Sequence, residues 1–318
     1  MSVKVSVIML TFNREKLLGR AIESVLAQSY QDFEFIIVDN GSEDHSKEVA
    51  ESYAQKDSRI QLYQISKRCI GAGRNYGLSK ASGEYITFLD DDDWMYGDML
   101  EYLVGLAEKY QADIALCSSH KEVQGELQNN CCFDGIMVMD GQESVVELLK
   151  RKKYNAAYPS KLLKKELFAQ IPFREDGKYD DITVVYKHFA IAKRIVAGGE
   201  PKYCFVRHLN NHSAFTTNDL LLNEVQLREY LDAFRERSEW LGERLPAIRT
   251  YAKYSEWSYM ISMCNKIESN HLENCNTVLA EIKAELTENY DLFFYSKYIQ
   301  EFEKQWMQAY IKKEVSER

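Results

Sequence analysis

Short apolar segments alternate with helical segments through the amino-terminal part of the chain. Residues 3–10, VKVSVIML, alternate and then become continuously apolar, which is typical of a strand buried within a sheet. Similar patterns predict further strands at 33–38, 60–65, 85–89 and 112–118. Apolar residues at helical spacing predict helices near 15–28, 43–56 and 98–110. This alternation predicts an α/β fold with a mostly parallel sheet covered by helices on both faces.

The pattern changes towards the carboxyl end. Residues 71–81, GAGRNYGLSKA, predict a glycine-rich loop that leads into a helix. The middle of the chain predicts a helix at 141–150 opened by Asp140, a helix near 181–193 and a short strand near 202–206. Beyond this, only helices are expected, at 219–237, 245–267, 272–288 and 291–313. We therefore predict an α/β domain over residues 1–215 and a helical region over 216–318.

Composition excludes several classes of protein. The 318 residues include 40 basic and 49 acidic side chains, so a broad nucleic-acid-binding surface is not expected. Seven cysteines without a CxxC pair argue against a disulfide scaffold. The start of the sequence lacks a signal-peptide layout, and no apolar run approaches the roughly 20 residues that span a bilayer. We expect a cytoplasmic protein.

Four adjacent aspartates, Asp90 to Asp93, follow the strand predicted at 85–89. An acidic run is usually a solvated loop, but ligands of such sheets bind beyond the carboxyl ends of the strands. Asn13 and Asp39 follow two other predicted strands, so polar groups converge on one edge of the sheet. Neighbouring carboxylates raise one another's pKa, and a divalent cation relieves their repulsion. Magnesium-type ions commonly bind one or two carboxylates together with substrate phosphates.

These segments resemble a known family. VSVIMLTFNREKLLGRAIESVLAQSYQDFEFIIVDNGSEDHS and GAGRNYGLSKASGEYITFLDDDDW resemble, in order and spacing, the nucleotide-binding half of family 2 glycosyltransferases. The resemblance covers residues 3–95 and continues more weakly to about residue 213 through YPSKLLKKELFAQIPFREDGKYDDITVVYKHF. It implies a GT-A nucleotide-sugar-binding fold and an inverting, metal-dependent hexosyl- or N-acetylhexosaminyltransferase. The expected donor is a UDP-sugar.

The resemblance also implies roles for residues at the nucleotide. Thr11 and Phe12 stand where the family has a Thr-Tyr pair that holds the base, and an aromatic face can stack on uracil. Asp39 stands where a carboxylate faces the base edge and can accept the imide N–H of uracil. Arg74 occupies a position associated with the nucleotide. Phe12 differs from the usual tyrosine but keeps the stacking face.

The same resemblance assigns metal and proton-transfer roles. Asp90 and Asp91 are expected to face the ribose and the metal, with Asp93 assisting. The expected direct ligands of Mn²⁺ or Mg²⁺ are Asp92 and, as a candidate, His212.

Asp180-Asp181 matches a Glu-Asp pair at a helix start, and Asp181 is expected to be the general base towards the acceptor hydroxyl. The alternative for Asp181 is a helix N-cap, which aspartate favours. Two further departures from the family, Leu10 for proline and Asn40 for a second aspartate, remove no charge that the chemistry needs.

Several alternatives remain open at this point. A transferase fold without turnover could serve as a scaffold in a glycosylation complex. A nicotinamide oxidoreductase is less favoured, because GAGRNYG follows the third strand and has the spacing G-x-G-x-x-x-G. A phosphatase with an aspartyl nucleophile normally carries its DxD on the first strand. The expected acceptor is a hydroxyl of a glycan, in surface polysaccharide, glycolipid or glycoprotein synthesis.

An aromatic residue recurs every four positions near the end of the sequence, at Tyr290, Phe294, Tyr298, Phe302, Trp306 and Tyr310. Packing against the preceding helices is one explanation, and a homo-oligomer interface or an acceptor-holding surface is another. Peripheral docking at the inner face of the membrane ranks lower. Residues 291–318 carry five acidic and five basic side chains, whereas a membrane-surface helix usually has an excess of basic residues.

Overall fold

The computed structural model describes residues 3–66, 68–177, 179–208 and 218–311. It divides into two compact units, residues 1–207 and 208–318. The strands are β1 (Val5–Thr11), β2 (Phe33–Asp39), β3 (Ile60–Gln64), β4 (Tyr85–Asp90), β5 (Trp94–Met95), β6 (Ile114–Val123), β7 (Glu126–Cys131), β8 (Ile136–Met139), β9 (Lys161–Lys164) and β10 (Ile195–Arg207). The first unit's helices are α1 (Leu18–Leu26), α2 (Ser46–Ala54), α3 (Ile70–Lys80), α4 (Met99–Tyr110), α5 (Gly141–Lys150), α6 (Lys165–Gln170) and α7 (Asp180–Ile191). The domain boundary near residue 215 lies outside the described residues and stays a prediction.

The first unit is built on one sheet with the strand order β3-β2-β1-β4-β9-β6-β10-β5. Strands β3, β2, β1 and β4 run parallel to one another. Strand β9 is antiparallel to both β4 and β6, while β10 is parallel to β6. Strands β7 and β8 extend β6 and β10 as antiparallel neighbours. The expected α/β class with a mostly parallel central sheet is confirmed.

The register of the parallel strands places their carboxyl ends at one level. Thr11 at the end of β1 is opposite Asp39 at the end of β2. On the other side of β1, Leu10 is opposite Asp90 at the end of β4. Every residue of β2 is buried, as expected of a strand covered on both faces. The buried strands therefore align three strand ends at one edge of the sheet.

The helix predicted within residues 71–81 is present as α3, but the glycine-rich loop expected at its start is wrong, because the helix already begins at Ile70. A Cβ atom at Gly71 would lie 1.9 Å from the carbonyl oxygen of Arg174. At Gly73 it would lie 2.5 Å from the Leu10 side chain. The glycines thus let the helix approach β1 and a distant backbone segment, and they do not form a turn.

Other elements follow the sequence expectation to different degrees. Helix α5 begins after Asp140, whose side chain accepts the Glu143 N–H at 2.8 Å in a capping box, as expected. The strand expected near 202–206 belongs to the much longer β10, which pairs with β6, β8 and β5. Strand β7 was not predicted, because its sequence ELQNNC is exposed and polar.

The second unit is helical, with α8 (Glu224–Arg244), α9 (Arg249–Ser269), α10 (Asn276–Glu288), α11 (Tyr290–Phe294) and α12 (Glu301–Tyr310). The single helix expected at 291–313 is wrong, because residues 295–300 separate α11 from α12. Buried Glu303 of α12 accepts the Tyr254 hydroxyl of α9 at 3.0 Å and the Gln300 N–H at 2.8 Å. These bonds fix the start of α12 against α9.

The aromatic repeat is consequently split between separate contacts. Tyr290 stacks on Phe294 within α11, with ring centroids 5.1 Å apart. Tyr298 lies between the two helices and packs edge-on against Tyr251 of α9 at 4.9 Å. Phe302 stays half exposed. In the described part of the chain, no helix combines the length and hydropathy needed to cross a membrane.

Two glycine-to-alanine variants test the packing role of α3. We expect Gly71→Ala to lower the free energy of unfolding by about 1–3 kcal/mol, because the new methyl group overlaps the Arg174 carbonyl. Gly105→Ala in α4 is the control, since nothing lies within 4 Å of its added Cβ atom. It should raise stability by about 0.5–1 kcal/mol. Urea unfolding of both variants is the measurement, and a Gly71→Ala protein as stable as the control variant would contradict the close approach.

Candidate active site

Asp39 provides a buried acceptor at the end of β2. Its side chain is fully buried, and its Oδ1 accepts the Ser42 N–H at 3.1 Å. The other oxygen, Oδ2, is buried and has no hydrogen-bond partner within the described ranges. Buried polar atoms are nearly always hydrogen-bonded, so this oxygen suits a ligand N–H. Thr11, its neighbour across the parallel register, is also buried.

The segment that follows β1 is fixed to the segment that follows β2. Asn13 adopts a left-handed backbone conformation with φ of 53°, which asparagine tolerates better than most residues. Its side-chain oxygen accepts the Glu43 N–H at 2.8 Å, and its N–H donates to the Ser42 hydroxyl at 3.0 Å. The preceding Phe12 donates its N–H to Asp91 Oδ2 at 3.2 Å. The segments after β1 and β2 are therefore connected to the turn formed by Asp90 to Asp93, here called the aspartate turn.

Asn40 holds the segment after β3 through two backbone contacts. Its Nδ2 donates to the Arg68 carbonyl at 2.9 Å, and its Oδ1 accepts the Arg68 N–H at 2.9 Å. An ionised aspartate could accept the N–H but could not donate to the carbonyl. The departure from a second aspartate at this position thus has a local structural reason.

Asp91 and Asp92 face the guanidinium of Arg14, a residue that the sequence did not point to. Arg14 Nε lies 3.5 Å from Asp91 Oδ1, and Arg14 Nη2 lies 4.0 Å from Asp92 Oδ2. The sequence feature that could have indicated Arg14 is a basic residue three positions after the end of the first strand, in TFNRE. Burial raises the pKa of Asp91 to about 7, with a further contribution from the charge of Asp92. Arg14 and the Phe12 N–H act in the opposite direction.

Asp93 bonds to the protein interior. Its Oδ2 accepts the Tyr203 hydroxyl at 2.8 Å, and its Oδ1 accepts the Val206 N–H at 2.7 Å. The Tyr203 oxygen also accepts the Asp90 N–H at 3.3 Å. Both carboxylate oxygens are therefore engaged by β10. Asp93 ties the aspartate turn to that strand, a different task from the metal contact suggested by the resemblance.

Asp91 and Asp92 carry carboxylate oxygens of the kind that a hard divalent cation binds. No group of three or more His, Cys, Asp or Glu side chains in the described segments has the arrangement of a metal site. A cation that takes its other oxygens from a diphosphate needs only one or two carboxylates, and Asp91 and Asp92 can supply them. His212, the second candidate ligand, lies outside the described residues.

Helix α7 brings the Asp180-Asp181 pair to the site. Tyr179 holds the cap position and makes no side-chain cap bond, so the N-cap explanation of Asp181 is wrong. Asp181 Oδ1 accepts the Ile182 N–H at 2.7 Å. Asp180 Oδ2 lies 2.9 Å from Arg74 Nη1, and burial raises the pKa of Asp180 while Arg74 opposes that rise. Both acids lie in the first turn of the helix, where the helix dipole favours negative charge.

Arg74 lies within helix α3 and is largely buried, and its Nη2 is 3.3 Å from Asp90 Oδ1.

Buried His188 of α7 lies between two oxygen atoms. His188 Nε2 is 2.7 Å from the Ile171 carbonyl, and Nδ1 is 2.7 Å from the Tyr158 hydroxyl. The carbonyl can only accept, so Nε2 carries the proton and Nδ1 accepts from Tyr158. Burial lowers the pKa of His188 to about 4.

The fold and this geometry can be compared with known proteins. The family model described as "Glycosyl transferase family 2" matches residues 6–172. The glycosyltransferase GlyG of Streptococcus pneumoniae serotype 4 is 31% identical over 222 residues, which covers 65% of this chain and 72% of that protein.

Solved structures share the fold at low sequence identity. Staphylococcus aureus TarS, in complex with UDP-GlcNAc, aligns with a TM-score of 0.59 and 20% identity over 96% of this chain and 79% of that chain. The mannosyltransferase PcManGT of Pyrobaculum calidifontis, in complex with GDP-Man and Mn²⁺, aligns with a TM-score of 0.54 and 16% identity over 98% and 85%. Both likenesses support the GT-A-like fold.

The buried His188 predicts a specific pH dependence of stability. Its pKa in the folded protein lies below the usual 6.5, so the unfolded chain binds the proton first as pH falls. Stability from the neutral histidine is therefore full above about pH 6.5 and is lost towards about pH 4. We expect the free energy of unfolding to fall by about 2 kcal/mol more in the wild type than in His188→Gln between pH 7 and pH 4.5.

Urea unfolding at the two pH values measures this difference. His45→Gln serves as the control, because the His45 side chain is 82% exposed and its loss should leave the pH dependence of the wild type. Equal pH dependence in wild type and His188→Gln would contradict the assigned neutral state.

Proposed function

The chain belongs to glycosyl transferase family 2, and we propose that it is an inverting, metal-dependent enzyme that transfers a sugar from a UDP-sugar to a glycan hydroxyl. That it is a glycosyltransferase follows from the family and from the likeness to GlyG. The UDP donor, the divalent cation and the acceptor are the proposed parts. We place the acceptor among the glycans of surface polysaccharides, glycolipids or glycoproteins, and here the support is the family alone.

The observation that carries the proposal is the buried Oδ2 of Asp39, which has no hydrogen-bond partner among the residues that the structure describes. It lies beside Thr11 at the edge where β1, β2 and β4 end at one level. A uracil ring presents an imide N–H that this oxygen can accept, and the Phe12 ring can stack on the base. Guanine also presents a ring N–H, and PcManGT binds GDP-Man. The identity of the base is therefore the first point for experiment.

The diphosphate of the donor belongs beside Asp91 and Asp92. These carboxylates would hold Mn²⁺ or Mg²⁺ together with diphosphate oxygens, and His212 is a further proposed ligand. When bound, such a cation neutralises charge on the diphosphate leaving group. Asp90, next to Asp91 at the end of β4, is proposed to face the ribose.

Asp181 is proposed to accept the proton of the acceptor hydroxyl. Its Oδ1 accepts the Ile182 N–H, which fixes the carboxylate and leaves Oδ2 for the incoming hydroxyl. As the proton moves to Asp181, the acceptor oxygen bonds to the anomeric carbon and the bond to the diphosphate oxygen breaks. This single displacement converts an α-linked donor into a β-linked product.

Binding of nucleotides tests the donor site. We expect UDP to bind more tightly than GDP or ADP and to need Mn²⁺, as measured by calorimetry with and without the ion. Asp92→Asn should remove the manganese dependence, because it removes a ligand charge. Phe12→Ala should weaken UDP binding by about 1–3 kcal/mol if the ring stacks on the base. Equal binding of the three nucleotides would remove the base-recognition role, and manganese dependence retained by Asp92→Asn would remove Asp92 as a ligand.

Proton transfer is tested by Asp181→Asn. A general base contributes on the order of 10²- to 10⁴-fold in rate, so we expect transfer to slow by about that factor. Stability and UDP affinity should stay close to wild type, since the shape of the side chain is preserved. The measurement is UDP release from a panel of UDP-sugars, with products scored by mass spectrometry. If the variant transfers sugar at the wild-type rate, the base must be sought at Glu175 or Asp176.

A further inference from the structure

One buried guanidinium joins the two sides of the proposed reaction. Arg74 belongs to α3, and its side chain is 9% exposed. Its Nη2 lies 3.3 Å from Asp90 Oδ1 at the end of β4, and its Nη1 lies 2.9 Å from Asp180 Oδ2 at the start of α7. The donor edge and the helix that carries Asp181 are thus held by the same planar group.

Three aromatic rings surround this guanidinium. Its central carbon lies 5.0 Å from the ring centroid of Phe88, 5.6 Å from that of Tyr158 and 5.5 Å from that of Phe173. The rings contact one another edge-on, with Tyr158 and Phe173 4.8 Å apart and Phe88 5.6 Å from Tyr158. These distances lie within the range of cation–π attraction. Together with the two carboxylates, these rings account for the low exposure of the Arg74 side chain.

The ring of Tyr158 is itself fixed. Its hydroxyl bonds to His188 Nδ1, and His188 bonds through Nε2 to the Ile171 carbonyl. His188 and Asp180 belong to the same helix, α7. The helix therefore meets Arg74 twice, directly through Asp180 and indirectly through His188 and Tyr158.

We propose that Arg74 is a positioning residue that sets the start of α7, and with it Asp181, relative to the end of β4. This assignment rests on the proposed function, and it differs from the nucleotide contact that the family resemblance implied for Arg74. The two terminal nitrogens of Arg74 lie at ion-pair distance from carboxylates of the protein. Its direct effect is on the alignment of acceptor and donor.

A lysine cannot replace this arrangement. Its ammonium group is a single strongly hydrated point charge, whereas the guanidinium is planar and presents donors in two directions. Arg74→Lys would keep one positive charge but could not span both Asp90 and Asp180. Misplacement by about 1 Å can cost on the order of 10²-fold in rate. We therefore expect a loss of turnover without a comparable loss of nucleotide binding.

The experiment separates kcat from nucleotide affinity. Arg74→Lys should lower the kcat for transfer from the most active UDP-sugar of the panel by roughly 10- to 100-fold. The Kd for UDP in Mn²⁺, measured by calorimetry, should change less than about threefold. Asp180→Asn, which weakens the same pair from the other side, should lower kcat in the same direction with UDP affinity again preserved. It also provides the test if Arg74→Lys does not fold.

Arg59→Lys is the matched control. Arg59 also packs on an aromatic ring, 4.5 Å from Phe33, and pairs with an aspartate, 2.7 Å from Asp57. It lies at the amino end of β3, the opposite edge of the sheet from the aspartates. We expect wild-type kcat and UDP affinity in this variant.

Two outcomes would overturn the proposal. If UDP affinity in Arg74→Lys falls as much as kcat, Arg74 contacts the nucleotide. If kcat stays at the wild-type value, the alignment does not depend on Arg74.

Failure of the proposed function looks different, because a wild-type protein that neither binds UDP nor releases it from any UDP-sugar would show no kcat to compare. The Arg74→Lys and Asp180→Asn double-mutant cycle in urea then decides the pairing. If the two residues interact, the unfolding equilibrium constant of the double variant should differ by roughly 2- to 100-fold from the value expected when the two single effects are combined. Single effects that combine without such a difference would refute the link.

Discussion

Mutual repulsion among six carboxylates is the constraint around which the first unit is arranged. Four of them follow β4 and two begin α7, and each has a partner that limits its repulsion. Arg14 faces Asp91 and Asp92, while Arg74 faces Asp90 and Asp180. Asp93 is bonded to β10, and Asp181 is bonded to its own helix. Because Arg14, Arg74 and the β10 groups lie on other segments than the carboxylates they face, these contacts also determine how the segments are joined.

The parallel register turns this local arrangement into a site. Thr11, Asp39 and Asp90 are far apart in the sequence, yet the pairing of β1 with β2 and β4 brings them to one level. The close approach of α3 depends on glycines that leave room for Leu10 and for the Arg174 carbonyl. Arg74 can reach both Asp90 and Asp180 only because the helix that carries it lies so near the sheet.

The sequence predicts those features whose cause is local. The continuous apolar runs of β1, β2 and β4 indicate buried strands, and Asp140 with Glu143 marks a helix start. The glycines of α3 were misread, because their meaning depends on Leu10 and Arg174, which are distant along the chain. The partnership of Asp93 with Tyr203 spans 110 residues and has no sequence signal. The role of Arg14 could not be predicted from its neighbours in the sequence, because it depends on Asp91 and Asp92, which follow the distant strand β4.

The two bonds between Asn40 and the Arg68 backbone have a consequence for the chemical ageing of the protein. Asn40 is followed by Gly41, and asparagine before glycine readily loses its side-chain ammonia, since the glycine backbone can attack the amide. The cyclic imide that forms is opened by water to isoaspartate and aspartate at position 40, and the aspartate would carry the carboxylate usual in the family. It would also lose the donor to the Arg68 carbonyl, so a stored preparation would accumulate molecules in which the segment after β3 is less firmly held. The same two bonds restrain the amide from the rotation that this reaction requires, so folding slows the damage.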